Sequence, residues 1–206
     1  MDKSLPNEAI NIFVFNKSKK PTIIFIHGLF SSSGYWLPFL TYFSEFKILI
    51  LDIDYLKIFN ISPQKINFYS FFESILKDEK HYTLISHSMG TILAQFFPEK
   101  KIKISYEICP IINSVEKNKN KFIEQISFLS NFSNEEISSL LNKATIFLSS
   151  YFLGENKLLS KKKYVPKIDS FFDNSFNDVE YFEGNHFDIL NSILMINKDL
   201  IHEKLK

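Results

Sequence analysis

Ser86-His87-Ser88-Met89-Gly90 places a serine where one sequence pattern gives way to another. Before it, His81-Tyr82-Thr83-Leu84-Ile85 is short and rich in β-formers. After it, Thr91-Ile92-Leu93-Ala94-Gln95-Phe96-Phe97 has a helical period and is stopped by Pro98. A serine on a sharp strand-to-helix turn holds its hydroxyl exposed on a strained backbone. The residues two before and two after it must then be small, as Ser86 and Gly90 are. Ser88 is therefore a candidate nucleophile, although the pentapeptide alone also reads as a helix with a serine cap. A serine hydroxyl needs an adjacent base. His186 is the candidate, in the glycine turn Gly184-Asn185-His186-Phe187 behind the β-prone Val179-Glu180-Tyr181-Phe182-Glu183. A loop histidine without a role is the alternative for that position. A third feature lies early in the chain. Thr22-Ile23-Ile24-Phe25-Ile26 is nearly all apolar, the pattern of a strand covered on both faces, and it runs into His27-Gly28-Leu29-Phe30.

The order of loop, serine turn and late histidine resembles the α/β-hydrolase family, over nearly the whole chain. Its nucleophile turn usually begins with glycine, which Ser86 replaces here. The resemblance implies a Ser–acid–His triad, with backbone N–H groups of Leu29 and Met89 receiving the oxyanion of acyl transfer. It also implies that His27 orders its loop. Strand alternation predicts that His87 points elsewhere, and His81 and His202 read as surface residues. The family places its acid about three residues after a glycine ending the seventh strand, where Gly154-Glu155-Asn156-Lys157 has lysine. Glu155 is the nearest carboxylate. Asp169 and Asp173 are the alternatives if that strand lies elsewhere, and a site without an acid is a further possibility.

The elements that must carry these residues alternate between strand and helix. Residues 9–15, 22–27, 47–52, 81–85 and 102–109 read as strands. Residues 34–46 read as a helix, and Ser62-Pro63 as the opening of another reaching about residue 77. This implies one α/β domain over residues 1–206, a mostly parallel sheet with helices on both faces. Residues 111–143 read as a small helical cap, in which Ser133-Asn134-Glu135-Glu136 is a capping box. Residues 145–153 are expected to form the seventh strand, although Ile137, Leu141, Ala144 and Leu148 keep helical spacing and allow the cap helix to continue. Residues 166–176 then form a helix, 179–183 the last strand and 187–201 the closing helix.

Bulk properties narrow the function. With 206 residues and 45% hydrophobic content, the chain supports a sizeable core. A net charge of +1 gives no electrostatic reason to expect nucleic acid, and all basic residues are lysine. The start of the chain lacks the apolar stretch of a signal peptide, and no run is long enough to span a membrane. A single cysteine, Cys109, excludes an internal disulfide and fits a cytoplasmic location. Tyr164-Val165-Pro166 with Asp169 is loosely similar to the pimeloyl-carrier-protein methyl ester esterases of biotin synthesis. Asn185-His186-Phe187 looks like the ending of acyl thioesterases. The expectation is a serine hydrolase of acyl esters or thioesters, working through an acyl-enzyme without metal or cofactor. Its substrate is a small acyl ester or thioester, or one borne by acyl carrier protein. Lys117, Lys119, Lys121 and Lys161 to Lys163 are the candidate docking lysines, although solvated lysines are the simpler reading of them. Phe30, Trp36, Phe122 and Phe128 are candidate pocket walls or ordinary core. The missing aspartate also leaves a non-catalytic binding homologue open.

Overall fold

A computed structural model describes residues 8–60, 67–110, 119–129, 132–151, 161–167 and 179–204. Seven strands form one sheet: β1 (Ile10–Phe15), β2 (Thr22–Ile26), β3 (Lys47–Ile53), β4 (Tyr82–His87), β5 (Ile102–Ile108), β6 (Lys161–Pro166) and β7 (Val179–Phe182). Their order is β1-β3-β2-β4-β5-β6-β7. Only the β1–β3 pair is antiparallel. All five residues of β2 are buried, because period-2 alternation sends them into two cores. Ile24 and Ile26 join Phe68, Phe72, Leu93 and Phe97 on one face. Ile23 and Phe25 join Trp36, Phe43, Ile193 and Ile196 on the other. The chain crosses over β2 between β3 and β4. The β2 and β4 ends therefore flank the point where strand order reverses, the usual ligand crevice of such sheets.

The helices are α1 (Tyr55–Asn60), α2 (Phe68–Ile75), α3 (Gly90–Leu93), α4 (Lys119–Leu129), α5 (Asn134–Tyr151) and α6 (Leu190–Lys204). Residues 33–43 wind as a 3-10 helix around Pro38, which has no N–H for an α-helical ladder. α1 was not legible beforehand. α2 begins later than Ser62-Pro63 implied; Asn67 caps it, accepting from the Ser70 N–H at 2.9 Å. Ser62 and Pro63 lie outside the described residues. The capping box forms: Ser133 N–H donates to Glu136 Oε2 at 2.8 Å, and Glu136 N–H to Ser133 Oγ at 3.2 Å. No described helix is long and apolar enough to cross a membrane.

The seventh-strand expectation is corrected. Residues 145–151 continue α5, and the strand between β5 and β7 is Lys161–Pro166. Ile137, Leu141 and Ala144 are buried at helical spacing, and Thr145 Oγ1 returns a bond to the Leu141 carbonyl at 2.9 Å. The true strand opens with three lysines and so hides its β character. Lys162 pairs there with Asp199 of α6. Pro166 ends this strand rather than opening a helix, and residues 168–176 lie outside the described part.

Glu79 ties the amino ends of neighbouring strands. It accepts from Thr22 Oγ1 at 2.6 Å and pairs with Lys47. Burial alone would raise its pKa, but the bonds from Lys47 and Thr22, with the charges of Lys47 and Lys20, hold it below the ordinary 4.5. The unfolded chain then takes up this proton first as pH falls, so the stabilisation is present above pH 4.5 and is lost as pH drops through the folded value. Urea midpoints measured at successive pH values should show Glu79→Gln less stable than wild type at pH 7, with the difference shrinking below pH 4.5. Parallel profiles would refute this role.

Candidate active site

Ser88 follows β4 with φ 51°, in the left-handed region that a non-glycine residue occupies only when its surroundings enforce it. Its N–H donates to the Ile108 carbonyl of β5 at 2.9 Å. Its carbonyl accepts from Thr91 Oγ1 at 2.7 Å and from the Thr91 N–H at 2.9 Å. The turn is thus fastened on both sides. Gly90 lets it lie against β2: a Cβ there would stand 2.5 Å from the Ile26 carbonyl oxygen and 2.7 Å from that of His27. Gly28 presses on it from the β2 loop, where a Cβ would come within 2.9 Å of Ser88 Cβ.

His186 Nε2 lies 3.0 Å from Ser88 Oγ, so the two candidates meet across 98 residues. Gly184 turns the histidine loop at φ 150°, and Asn185 Oδ1 accepts from the N–H groups of Phe187 (2.9 Å) and Asp188 (3.0 Å). The buried His87 and the partly buried Tyr35 then pin consecutive carbonyls of the loop. His87 Nε2–H donates to the His186 carbonyl at 2.8 Å, and Tyr35 Oη–H to that of Phe187 at 2.9 Å. Their rings lie against each other at 5.2 Å. His87 therefore does not point elsewhere. All six β4 residues are buried, so alternation moves a side chain between two interiors and not from site to solvent. Burial, together with the nearby His186, lowers the His87 pKa well below the ordinary value and keeps it neutral. Burial likewise raises that of Tyr35 and keeps its hydroxyl protonated. Nothing in the sequence marked Tyr35 or Cys109 as neighbours of His186; only packing does.

His27 orders its loop as expected. Its Nε2 accepts from the Ile53 N–H at 2.9 Å, which leaves the proton on Nδ1 for the Gly28 carbonyl at 2.8 Å. Tyr55 Oη donates to the His27 carbonyl at 2.6 Å. Leu29 and Met89, the expected oxyanion donors, occupy the turns that follow β2 and β4. No carbonyl of the described residues accepts from either N–H. Above them, Ile126, Ile137 and Leu141 of α4 and α5 pack on Leu29, Phe30 and Phe187. Phe30 thus meets the helical pair. Trp36 is fully buried beside Phe25 and is core, not pocket wall. Phe128 is 89% exposed and faces solvent. The side chain of Phe122 lies outside the described part, as do Glu155, Asp169 and Asp173. A groove of about 660 Å³ between α4 and α5 is lined by polar residues such as Asn120, Glu124 and Asn142, and neither Ser88 nor His186 borders it.

Gly90→Ala should destabilise the fold by about 1–3 kcal/mol or more, because backbone carbonyls cannot yield to the new methyl. Gly34→Ala, whose methyl would meet only Ser32 Oγ at 3.3 Å, should stay near wild type. Urea unfolding of both variants checks the contrast.

No family sequence model matches the chain, and no curated protein does. Solved structures do. A laboratory-evolved variant of potato epoxide hydrolase has a TM-score of 0.61 at 14% identity, with 96% of each chain covered. A carboxylesterase of the thaumarchaeon Nitrososphaera gargenis has a TM-score of 0.63 at 11% identity, covering 95% of this chain and 93% of that one. The thioesterase domain of the curacin biosynthetic pathway has a TM-score of 0.57 at 13% identity, covering 93% and 95%. Together with the strand order and the strained serine turn, these likenesses show that the chain has the α/β-hydrolase fold.

Proposed function

We propose that the chain is a serine hydrolase that cleaves carboxylic esters or thioesters of acyl substrates. The observation that carries this reading is the 3.0 Å approach of His186 Nε2 to a Ser88 held at φ 51°. His186 takes the Ser88 proton as Oγ attacks the acyl carbon. The oxyanion forms against the N–H groups of Leu29 and Met89. As it collapses, the bond to the alcohol or thiol breaks, and His186 protonates that leaving group. Water then repeats the cycle on the acyl-enzyme, giving the free acid and restoring Ser88. The esterases and thioesterase among the structural neighbours fit this chemistry. A carrier-borne methyl ester, as in biotin synthesis, is a narrower form of the same reading, and an acyl thioester is its sister. α4 and α5 act as the cap. Lys161 to Lys163 form the amino half of β6, away from Ser88. A docking rim for acyl carrier protein at Lys117, Lys119 and Lys121 belongs to the same reading.

The bounds of β6 favour a different carboxylate as the acid. Glu155 comes six residues before Lys161 in the sequence. Asp169 comes three residues after Pro166 in the sequence, and the carboxyl end of β6 lies on the same sheet edge as that of β4. Asp169 is the acid of this reading.

Ser88→Ala and His186→Ala should each lower turnover of short p-nitrophenyl esters by about 10⁴-fold or more, and the double variant should be little worse. A fluorophosphonate probe should label wild type and not Ser88→Ala. No labelling and no turnover in wild type would leave a non-catalytic binding protein.

The acid is tested separately. Asp169→Asn should cut kcat by about 10²- to 10⁴-fold with KM little changed. Glu155→Gln and Asp173→Asn should be near neutral on the same substrate. A loss confined to Glu155→Gln would return the acid to the segment before β6.

A further inference from the structure

Three metal-ligating side chains converge beneath Ser88. They are His87 at the end of β4, Cys109 just past β5, and His186 after β7. One ring nitrogen of each histidine and the Cys109 sulfur lie within 4.8 Å of one another, and all three residues are buried. His87 Nε2 lies 2.8 Å and Cys109 Sγ 3.9 Å from the same atom, the His186 carbonyl oxygen. Two donors thus aim their protons at one oxygen. Two imidazoles, a thiolate and a carbonyl make the borderline-soft donor set that suits Zn²⁺. Ligand atoms around a tetrahedral Zn²⁺ stand roughly 3.4–3.8 Å apart, so the cluster needs to contract by about 1 Å, within reach of side-chain rotation.

We propose that His87, Cys109 and His186 bind Zn²⁺, and that the bound ion switches the hydrolase off. Binding releases the Cys109 thiol proton to solvent and moves the His87 proton from Nε2 to Nδ1. Among the described residues, His87 Nδ1 has no hydrogen-bond partner, so no bond there opposes the transfer. The inhibition follows from counting lone pairs. A neutral imidazole has one. Whichever nitrogen of His186 the ion takes, the other carries the proton, and nothing remains to accept the Ser88 proton. This effect rests on the reading of His186 as base; binding itself does not.

The full chain, stripped of metal by a chelator, is titrated with zinc chloride by calorimetry. Thermal midpoint and ester turnover are followed in parallel. One ion should bind per chain, raise the midpoint and abolish turnover over the same concentration range, and EDTA should restore it. Cys109→Ser should keep basal turnover and weaken Zn²⁺ binding by more than about tenfold. Cys109→Ala serves the same purpose if a buried hydroxyl prevents folding. Ser88→Ala should bind as wild type does. Absent binding, or binding unchanged in the Cys109 variants, overturns the site. Cys109-dependent binding with turnover unaffected overturns the switch. Cys109-dependent binding in a wild type that turns over no ester and takes no probe upholds the site and overturns the hydrolase reading.

Discussion

Everything at the site depends on Ser88 being kept in a backbone conformation it would not choose. The constraint is the seating of the β4 turn against β2, with Gly90 beneath the Ile26 and His27 carbonyls and Gly28 against the Ser88 side chain. These contacts leave no room for side-chain carbon. The turn cannot relax without lifting off the sheet, which would uncover the core into which Met89, Ile92 and Leu93 pack. Strain at Ser88 is thus maintained by burial elsewhere in the domain.

The sheet extends this constraint one residue past its strands. Ser88 N–H bonds to the Ile108 carbonyl, Cys109 N–H to that of Tyr164, and Lys167 N–H to that of Phe182. Each strand end is located by its neighbour, so the segments leaving the carboxyl edge inherit the regularity of the ladder. Ser88 and Cys109 both leave it with positive φ, at 51° and 48°. His186 has no such ladder. Its loop is placed by a glycine, by Asn185 and by two hydrogen bonds from the side chains of His87 and Tyr35. His186 is therefore held by side chains packed beside Ser88 and not by the strand that precedes it.

Local chemistry made much of this legible. The buried parallel strands announce themselves as apolar runs because both faces are covered. Ser86, Ser88 and Gly90 announce the turn because few residue types tolerate it, and Ser133 with Glu136 announces a helix start because the two bond each other. The signals that failed were ambiguous for a physical reason. Residues 145–151 combine β-branched side chains with helical spacing, and burial of Ile137, Leu141 and Ala144 on one face decided for helix. Lys161–Pro166 is a strand because its backbone pairs on both sides, a property that its lysines do not display.

The sequence by itself determined the candidate serine and histidine, their order along the chain and the class of sheet that carries them, since each depends on neighbours a few residues apart. Tertiary structure alone decided that His186 reaches Ser88, that His87 and Tyr35 hold its loop, that Trp36 is core, and that the strand before the expected acid is Lys161–Pro166. Those outcomes depend on which surfaces exclude water together, and that is set by pairings across tens of residues that no local pattern encodes.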